Sequence, residues 1–562
     1  MARRSWLVPL AAVLVLAGCT PEPRLVDAPV TSPAPERVDT GELVVGVSSV
    51  AGGYNPHHIS DQSVVTTALA NLVLPSVFRT GPDGVPRLDR TVMSSADVTS
   101  YDPYTVTYRI RSDASWSDTA PVAAEDFVYL TEQVTSSPGA LDAAGYRLIE
   151  DINAADSGKT VEVVFAEPYP GWRSLFANLL PAHLLKDAPG GWDGALQDNF
   201  PAAAGPYAVK ALDTDRGEVV LERNDRYWED PPTLDRIVLR RTDQPGVVEA
   251  LKAGHNQVAL ARLDAVGVNS VGNLSPPVTT RTVARPTVTT LAVRPDRPQL
   301  TERGVRQAIV ALLDREQLVT VGTGNGPASA LRADAQVLAP SQPGYAPTIP
   351  AQARHDPARA EQLLRAAGYT RTAAGWTRGG QPLDLVVGAP EEREPAQRIA
   401  EEVQRQLVAA GVAAEVVTLP GDELYAQLYA GADGSEEDGE ENGETVDLAV
   451  IGQPVGADPA TSLASNFGCV TGGEGQPPVP ANPLGFCDAR VQPTMTAALT
   501  GALSVTDALA AVEPVLWRSA VAVPLFQQAE TLAVRTDVSG VSPGPPLAGP
   551  FAGAAEWRRT DG

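Results

Sequence analysis

The chain has 562 residues, of which 43% are hydrophobic, and it includes 49 glycines and 50 prolines. A globular chain of this length exceeds a single hydrophobic core, so we expect two or more lobes with many turns. The formal net charge of -25 at pH 7 argues against nucleic acid as a partner, because nucleic-acid binding needs a basic face. The same charge argues against broad adsorption to an anionic membrane surface.

The N-terminal segment is typical of an exported lipoprotein. Arg3 and Arg4 precede an apolar run over residues 6–16, which has the length of a signal-peptide core. The run ends in L-A-G-C, and small residues before a cysteine resemble a bacterial lipobox. We therefore predict that residues 1–18 are a lipoprotein signal peptide and that Cys19 carries a palmitate-type lipid anchor on the outer face of the cell membrane. An ordinary signal peptide with a chance cysteine is the alternative.

Strands dominate the first half of the predicted body. Residues 19–40 are rich in proline, alanine and charge, which predicts a flexible tether ahead of that body. Apolar and polar residues then alternate in short runs, as they do in half-buried strands. The predicted strands are residues 42–48, 106–110, 161–165 and 219–222. A helix is predicted over residues 124–134.

The second half of the chain changes to a helical period. Residues 305–313 have apolar side chains at helical spacing, and Asp356-Pro357 is a pair suited to begin a helix. Residues 383–388 are predicted as a strand, 399–410 as a helix and 412–419 as a strand. This succession forms a βαβ unit, which implies a parallel sheet and an α/β second half.

Two local features of the second half leave alternatives open. Residues 432–444 are acidic and nearly free of apolar groups, which predicts a mobile surface insertion. A cation site is the alternative, although the stretch lacks the ligand order of a calcium loop. Cys469 and Cys487 form a remaining pair, and export favours a disulfide between them. Two free thiols or a metal pair are the alternatives, and no histidine lies near either cysteine.

Several motifs resemble those of the oligopeptide- and dipeptide-binding branch of ABC-transporter solute-binding proteins, family 5. Each motif is weak alone, but they follow one another in the order of that family. They are W-S-D-T-A-P at 116–121, E-P-Y-P at 167–170, G-P-Y at 205–207, L-E-R-N-D-R-Y-W at 221–228, V-R-Q-A-I at 305–309, D-P-A-R-A-E at 356–361 and V-P-L at 523–525. Most of these residues shape turns or a core, so we do not expect them to contact a ligand.

The resemblance implies an α/β fold with two lobes, as in periplasmic binding proteins of the large cluster C type. A central cleft, crossing strands and an extra strand-rich subdomain in the first lobe are expected. Lobe I is predicted over residues 41–290, with residues 520–562 returning to it, and lobe II over 291–519. The crossing strands are expected near residues 291–293 and 523–525, and the lobes would close on a ligand by a hinge.

The resemblance also points to candidate ligand contacts. In peptide-binding relatives, an aspartate of the second lobe holds the amino group of the peptide, and the matching segment here is residues 451–459. Asp458 is therefore a candidate ligand carboxylate, and Gln453 is a second candidate. The alternative is that Asp458 caps the following turn. Tyr54 and Asn55 lie in a turn that skirts the cleft in relatives, and a purely structural role in that turn is the alternative.

Arg294 departs from the family pattern, because relatives usually carry an asparagine shortly after this strand. Arg294 could engage a ligand carboxylate or phosphate, or form a surface salt bridge. The departure puts an ordinary peptide ligand in doubt. His57 and His58 with Asp61 do not make a convincing zinc site, because adjacent side chains of a strand point in opposite directions and no further ligand is evident. No metal or cofactor is expected.

No enzymatic activity is expected, because the chain has five histidines but neither an H-E-x-x-H nor a G-x-S-x-G motif. The resemblance implies an extracytoplasmic, monomeric substrate-binding lipoprotein that binds peptides or similar small solutes and docks on an ABC permease. The alternative is a non-transport lipoprotein of an actinobacterial branch, which would bind or regulate phosphatidylinositol-mannoside-type glycolipids in envelope synthesis. A glycoside- or peptide-cleaving enzyme is a third, less favoured possibility.

Overall fold

The computed structural model describes residues 41–50, 52–391, 394–430, 445–470 and 478–560. The predicted signal peptide, Cys19, the tether and the acidic insertion at 432–444 lie outside the described residues. Within the described residues, no helix has the length and apolarity needed to cross a membrane.

The elements up to the crossing strand are mostly strands. In chain order the strands are β1 (Glu42–Val47), β2 (Phe78–Thr80), β3 (Pro86–Leu88), β4 (Met93–Tyr101), β5 (Tyr104–Ile110), β6 (Ile149–Ala155), β7 (Thr160–Phe165), β8 (Tyr207–Asp213), β9 (Glu218–Arg223), β10 (Arg236–Arg241), β11 (Val258–Ala261) and β12 (Val278–Val293). The helices are α1 (Val64–Val73), α2 (Ala124–Ser136), α3 (Ala143–Tyr146), α4 (Ala182–Leu185), α5 (Gly191–Gly194), α6 (Gln244–Ala253) and α7 (Ala265–Gly272).

Helices and strands alternate in the remainder of the chain. The strands are β13 (Thr370–Thr372), β14 (Gly375–Arg378), β15 (Gln381–Pro382), β16 (Asp384–Pro390), β17 (Ala413–Leu419), β18 (Leu448–Pro454), β19 (Cys469–Val470), β20 (Val479–Pro480), β21 (Ala522–Arg535), β22 (Val538–Ser539) and β23 (Arg558–Arg559). The helices are α8 (Arg303–Leu312), α9 (Arg315–Thr323), α10 (Pro357–Ala366), α11 (Ala396–Ala409), α12 (Gly421–Ala430), α13 (Pro459–Phe467), α14 (Gln492–Leu499) and α15 (Val505–Ser519). Short 3-10 helices lie at Ile59–Asp61, Asp156–Gly158, Pro170–Ser174, Pro327–Ala330, Ala351–Ala353 and Pro550–Glu556.

One ten-stranded sheet runs through the molecule in the order β17-β16-β18-β12-β21-β11-β1-β10-β9-β8. Its two central strands, β12 and β21, are long and antiparallel and belong to both lobes. Their register is continuous up to the pair Ala284 and Ala529, and it then shifts to the pair Val288 and Gln527. Pro286 lies in this break and cannot donate to the ladder. We therefore place the hinge here, and use lobe I for residues 41–284 and 529–560 and lobe II for residues 288–527.

Lobe I combines its half of the large sheet with a separate antiparallel sheet. That sheet has the order β4-β5-β7-β6, which confirms the strand-rich subdomain. Aromatic rings fix it to the rest of the lobe: Tyr108 of β5 lies 5.7 Å from Phe127 of α2 and 5.3 Å from Phe176, between ring centroids. The C-terminal segment returns to this lobe, where Phe551 and Trp557 are buried in the same apolar core.

Lobe II contains the predicted βαβ unit. β16 and β17 pair in parallel, and α11 connects them with its apolar residues Ile399, Val403 and Leu407 fully buried. The crossing strands are confirmed as well, because Leu291 pairs with Val523, although this pair lies on the lobe II side of the hinge. Cys469 and Cys487 of this lobe are joined by a disulfide with an S–S distance of 2.09 Å.

Candidate functional site

A small cavity lies between the lobes, where strands from both sides end. β1 leads into Ser48 and Ser49, β11 leads into Arg262, and β16 leads into the segment before α11. The carboxyl ends of strands in open α/β sheets are where such folds bind ligands. We name this space the interlobe cavity, and its volume is about 120 Å³.

The lobe I wall of the interlobe cavity is built from the start of α1 and the end of β11. Ser63 caps α1 and accepts a hydrogen bond from the backbone N–H of Thr66 at 3.0 Å. The Gln62 amide donates to the carbonyls of Pro56 and His58, both at 3.0 Å. The hydroxyl of Ser48 accepts from the backbone N–H of Arg262 at 3.1 Å. Local turns and caps thus hold hydroxyl and amide groups at the cavity.

The floor of the interlobe cavity comes from the hinge strands. Arg285, Thr287 and Thr289 are two residues apart on β12, so their side chains share a face of the strand, as do those of Gln528 and Glu530 on β21. All five line the cavity. The Gln528 amide donates to the Thr289 hydroxyl at 3.2 Å, which ties the two strands together on the cavity side.

Buried charges are concentrated on this floor. Burial raises the pKa of the Glu530 carboxyl, against the opposing charges of Arg262 and Arg285. Burial likewise lowers the pKa of the Arg262 guanidinium, while Glu530 and Glu394 oppose that shift. Oε2 of Glu530 is buried and makes no hydrogen bond in the structure. A buried acceptor without a donor is costly, so this oxygen favours a ligand that brings a hydroxyl or an N–H.

The lobe II wall adds a further charge and a hydroxyl. Glu394 lies just before α11 and forms an ion pair with Arg398 at 2.8 Å. The Tyr425 hydroxyl accepts from the backbone N–H of Gly452 at 3.1 Å. Together the three walls present hydroxyls, amides and paired charges. This lining is suited to a polyhydroxylated or zwitterionic group and unsuited to a purely apolar one.

The lobes are closed in this structure. The Tyr169 hydroxyl of lobe I lies 2.6 Å from the Thr461 hydroxyl of α13, and the backbone N–H of Ala144 donates to the Ser465 hydroxyl at 3.2 Å. Ile59 of lobe I is also buried within an apolar cluster of lobe II. Small-molecule sites usually measure about 300–1,000 Å³, so a ligand of ordinary size needs the hinge to open before it binds.

Comparison with known proteins decides the family. Residues 91–474 match the family described as bacterial extracellular solute-binding proteins, family 5 Middle. The chain belongs to this family. Family 5 proteins bind substrates and are not classed as enzymes, and they act outside the cytoplasm. The predicted recognition and fold class are therefore confirmed.

Two family 5 relatives from Mycobacterium tuberculosis match different lengths of this chain. The probable monoacyl phosphatidylinositol tetramannoside-binding protein LpqW of strain H37Rv is 33% identical, and the match covers 98% of this chain and 96% of LpqW. The oligopeptide-binding protein OppA of the same strain is 28% identical, but its match covers 48% of each chain. The similarity to LpqW thus extends over both lobes.

Solved family 5 structures share the fold. The oligopeptide-binding protein AppA from Bacillus subtilis, in complex with a nonapeptide, superposes with a TM-score of 0.72 at 17% identity, covering 92% of this chain and 99% of AppA. The periplasmic EDTA-binding protein EppA superposes with a TM-score of 0.72 at 22% identity, covering 92% of this chain and 96% of EppA. One family 5 scaffold therefore accommodates chemically unrelated ligands.

Asp458 lies at the contact between the lobes rather than on the lining of the interlobe cavity. It caps α13, where its carboxylate accepts from the backbone N–H of Thr461 at 3.0 Å and from the Thr461 hydroxyl at 2.6 Å. Burial, and then the charge of Asp458, raise the pKa of Asp142 of lobe I to about 6. The cap expected as the alternative is present, and a ligand contact for Asp458 remains a prediction.

Tyr54 and Asn55 are buried in lobe I and do not line the interlobe cavity. The Tyr54 hydroxyl donates to the Val50 carbonyl at 2.5 Å. The Asn55 side-chain oxygen accepts from the backbone N–H of His57 at 3.0 Å, and the Asn55 backbone donates to Asp61 at 3.0 Å. These contacts match the structural role in a turn, which was the alternative to a ligand contact.

Arg294 and Gln453 are interior residues of lobe II. Arg294 is fully buried and makes a bidentate ion pair with Asp296, with Nε–Oδ1 and Nη2–Oδ2 distances of 3.0 and 2.6 Å. The salt bridge expected at the surface therefore lies inside the lobe. The Gln453 amide donates to the Gln336 carbonyl at 3.1 Å. Neither side chain lines the interlobe cavity, because each is committed to contacts within its own lobe.

Sequence reasoning missed the charged floor of the interlobe cavity. The two strands carry polar residues at adjacent as well as alternate positions, as in Thr289-Thr290, Gln527-Gln528 and Glu530-Thr531, so no period-two pattern marks the floor. The available signal is charge, because Arg285 and Glu530 are charged residues in buried strands and are unexpected there unless they meet a partner or a site. Among the described residues, no group of three or more histidine, cysteine or acidic side chains is placed to hold a metal ion.

Proposed function

We propose that this protein is an extracytoplasmic binding protein that closes its lobes over the polyhydroxylated head group of a mannosylated phosphoinositide lipid. The observation that carries the proposal is the lining of the interlobe cavity, where hydroxyls and amides surround the buried cluster of Arg262, Arg285 and Glu530. The similarity to LpqW over 98% of the chain supports the same ligand class.

The chemistry of the lining fits this ligand. Guanidinium groups donate in a planar fork to phosphate or to neighbouring hydroxyls, and both Arg262 and Arg285 line the cavity. Oε2 of Glu530 lacks a donor, and a sugar hydroxyl supplies one. The head group is larger than the closed cavity, so binding would draw on an open form and shift the population toward closure.

A peptide-binding protein of an ABC importer is the second candidate. The observation that favours it is that the charge of Asp458 acts on the buried carboxyl of Asp142 at the lobe contact, since a ligand amino group would neutralise this pair of acids. The half-length similarity to OppA supports this ligand class. In both proposals the protein is anchored through Cys19 outside the cell membrane, and in the second it docks on a permease.

Native mass spectrometry of protein purified from its own cell envelope separates the two candidates. A retained mannosylated lipid is the result expected from the first proposal. A retained peptide that is lost from the Asp458→Ala variant would favour the second. Neutral sugars that bind equally well to wild type and to Glu530→Gln would contradict the use of the charged floor.

A further inference from the structure

A second cavity lies entirely within lobe II, apart from the interlobe cavity. It has a volume of about 920 Å³ and is lined by residues of α8, α15 and the segment that precedes α10. Its lining is mainly apolar and includes Val310, Leu338, Val505, Leu509, Pro514 and Trp517. We name it the lobe II cavity. Its size and character are those of a small-molecule site.

The wall of the lobe II cavity is rigidly fixed by Glu513. The buried carboxylate of Glu513 accepts from the backbone N–H of Gln336 at 3.0 Å, from that of Val337 at 3.1 Å and from the Thr348 hydroxyl at 2.6 Å. The Trp517 indole donates to the same hydroxyl at 3.0 Å. These bonds hold the irregular segment around Gln336 and Val337 against α15.

The lining of the lobe II cavity has a positive charge balance. Arg359 and Arg518 line it, and the single acidic residue among the described lining residues is Glu513, which is buried and bonded to the wall. Arg518 is exposed, so its guanidinium is available at the surface. In a chain with a net charge of -25, two arginines beside an apolar interior select for a negatively charged head joined to an apolar body.

We propose that the lobe II cavity is a second binding site, which holds the single acyl chain of an anionic amphiphile with its head at Arg359 and Arg518. An acyl chain suits a mainly apolar volume, because burying it removes its methylene groups from water. A free fatty acid and a monoacyl phospholipid share this chemistry. The site goes beyond the head-group proposal, because no residue of the interlobe floor takes part in it.

Tryptophan quenching by brominated lipids tests this site in the delipidated full chain. The probes are dibromostearate and a brominated monoacyl phosphatidylglycerol, each below its micelle concentration. We expect saturable quenching that disappears in Trp517→Phe. Ala510→Phe should weaken binding at least tenfold, because Ala510 is exposed yet lines the cavity. Ala511→Phe is the matched control, because Ala511 is exposed on the same helix and lies outside the lining.

Each outcome of this experiment bears on the proposal. Binding of dibromostearate alone identifies a fatty acid as the occupant, and binding of the phospholipid alone identifies a monoacyl lipid. The double variant Arg359→Gln and Arg518→Gln should weaken both anionic probes and spare a brominated alcohol. Equal affinity in Ala510→Phe and Ala511→Phe, or quenching that persists in Trp517→Phe, would overturn the proposal. Glu530→Gln should leave the acyl probes unaffected, whatever it does to head-group binding.

Discussion

The interlobe cavity and the lobe II cavity differ in size, chemistry and dependence on motion. The first measures about 120 Å³ and has a charged floor, while the second measures about 920 Å³ and is mainly apolar. The walls of the first belong to two lobes that meet at a hinge, and the walls of the second belong to one lobe. Polar recognition is thus coupled to closure, whereas apolar recognition is not.

Two buried glutamates show what this difference means for a side chain. Glu513 of the lobe II wall accepts hydrogen bonds from two backbone N–H groups and a hydroxyl. Its carboxylate is therefore engaged by the protein itself. Glu530 of the interlobe floor retains an oxygen without a hydrogen bond. Burial raises the pKa of both carboxyls, so the pKa does not distinguish a structural glutamate from a ligand-binding one. The hydrogen-bond partners make this distinction.

The largest expected effect comes from Glu513→Ala, which should destabilise the fold. The substitution leaves the backbone N–H groups of Gln336 and Val337 without their acceptor, and each unsatisfied buried group costs about 1–3 kcal/mol. We expect the free energy of unfolding to fall by about 3 kcal/mol, measured by chemical denaturation. Glu556→Ala is the control, because Glu556 is exposed. A change below about 0.5 kcal/mol, as for ordinary surface substitutions, would show that Glu513 does not hold the wall.

Glu530→Gln should act on head-group binding instead. The substitution keeps the shape of the side chain but removes the charge that faces Arg262 and Arg285. We expect the affinity for a mannosylated phosphoinositide, measured by titration calorimetry, to fall at least tenfold, which is about 1.4 kcal/mol. Circular dichroism would establish that the variant is folded, and Glu556→Gln is the matched control. An unchanged affinity would remove Glu530 from the site.

A third expected effect is a pH dependence of closure through Asp142. Its pKa is raised to about 6 in the closed state, above the value of about 3.9 for a solvated aspartate. The closed state therefore binds this proton more tightly, so closure is favoured at pH 4 and below, weakens as the pH rises to about 6 and is constant above it. X-ray scattering should show the molecule expanding over this range. The Asp142→Asn variant should expand less than wild type over this range, and a flat wild-type profile would contradict the raised pKa of Asp142 in the closed state.

The sequence predicted the fold better than it predicted the site, for a physical reason. The helix that follows Asp356 and the βαβ unit around α11 are encoded by caps and apolar spacing within one segment, and both are present. Arg262 and Glu530 come close together only after the chain has crossed to lobe II and returned. No local sequence pattern predicts a contact between residues so far apart in the chain. The Asp458-Pro459 pair is also the start of a helix, so its local signal cannot distinguish a cap from a ligand contact.

The central claim is that a polar head group closes the hinge, and the distance between the lobes tests it directly. Val266 of lobe I and Val408 of lobe II are 70% and 55% exposed, so Val266→Cys and Val408→Cys provide labelling positions for energy transfer in a protein with Cys19 replaced by serine. We predict that a mannosylated phosphoinositide moves the labels toward the closed distance and that dibromostearate alone does not. An unchanged distance with the mannosylated lipid, or an equal change with dibromostearate, would contradict the account.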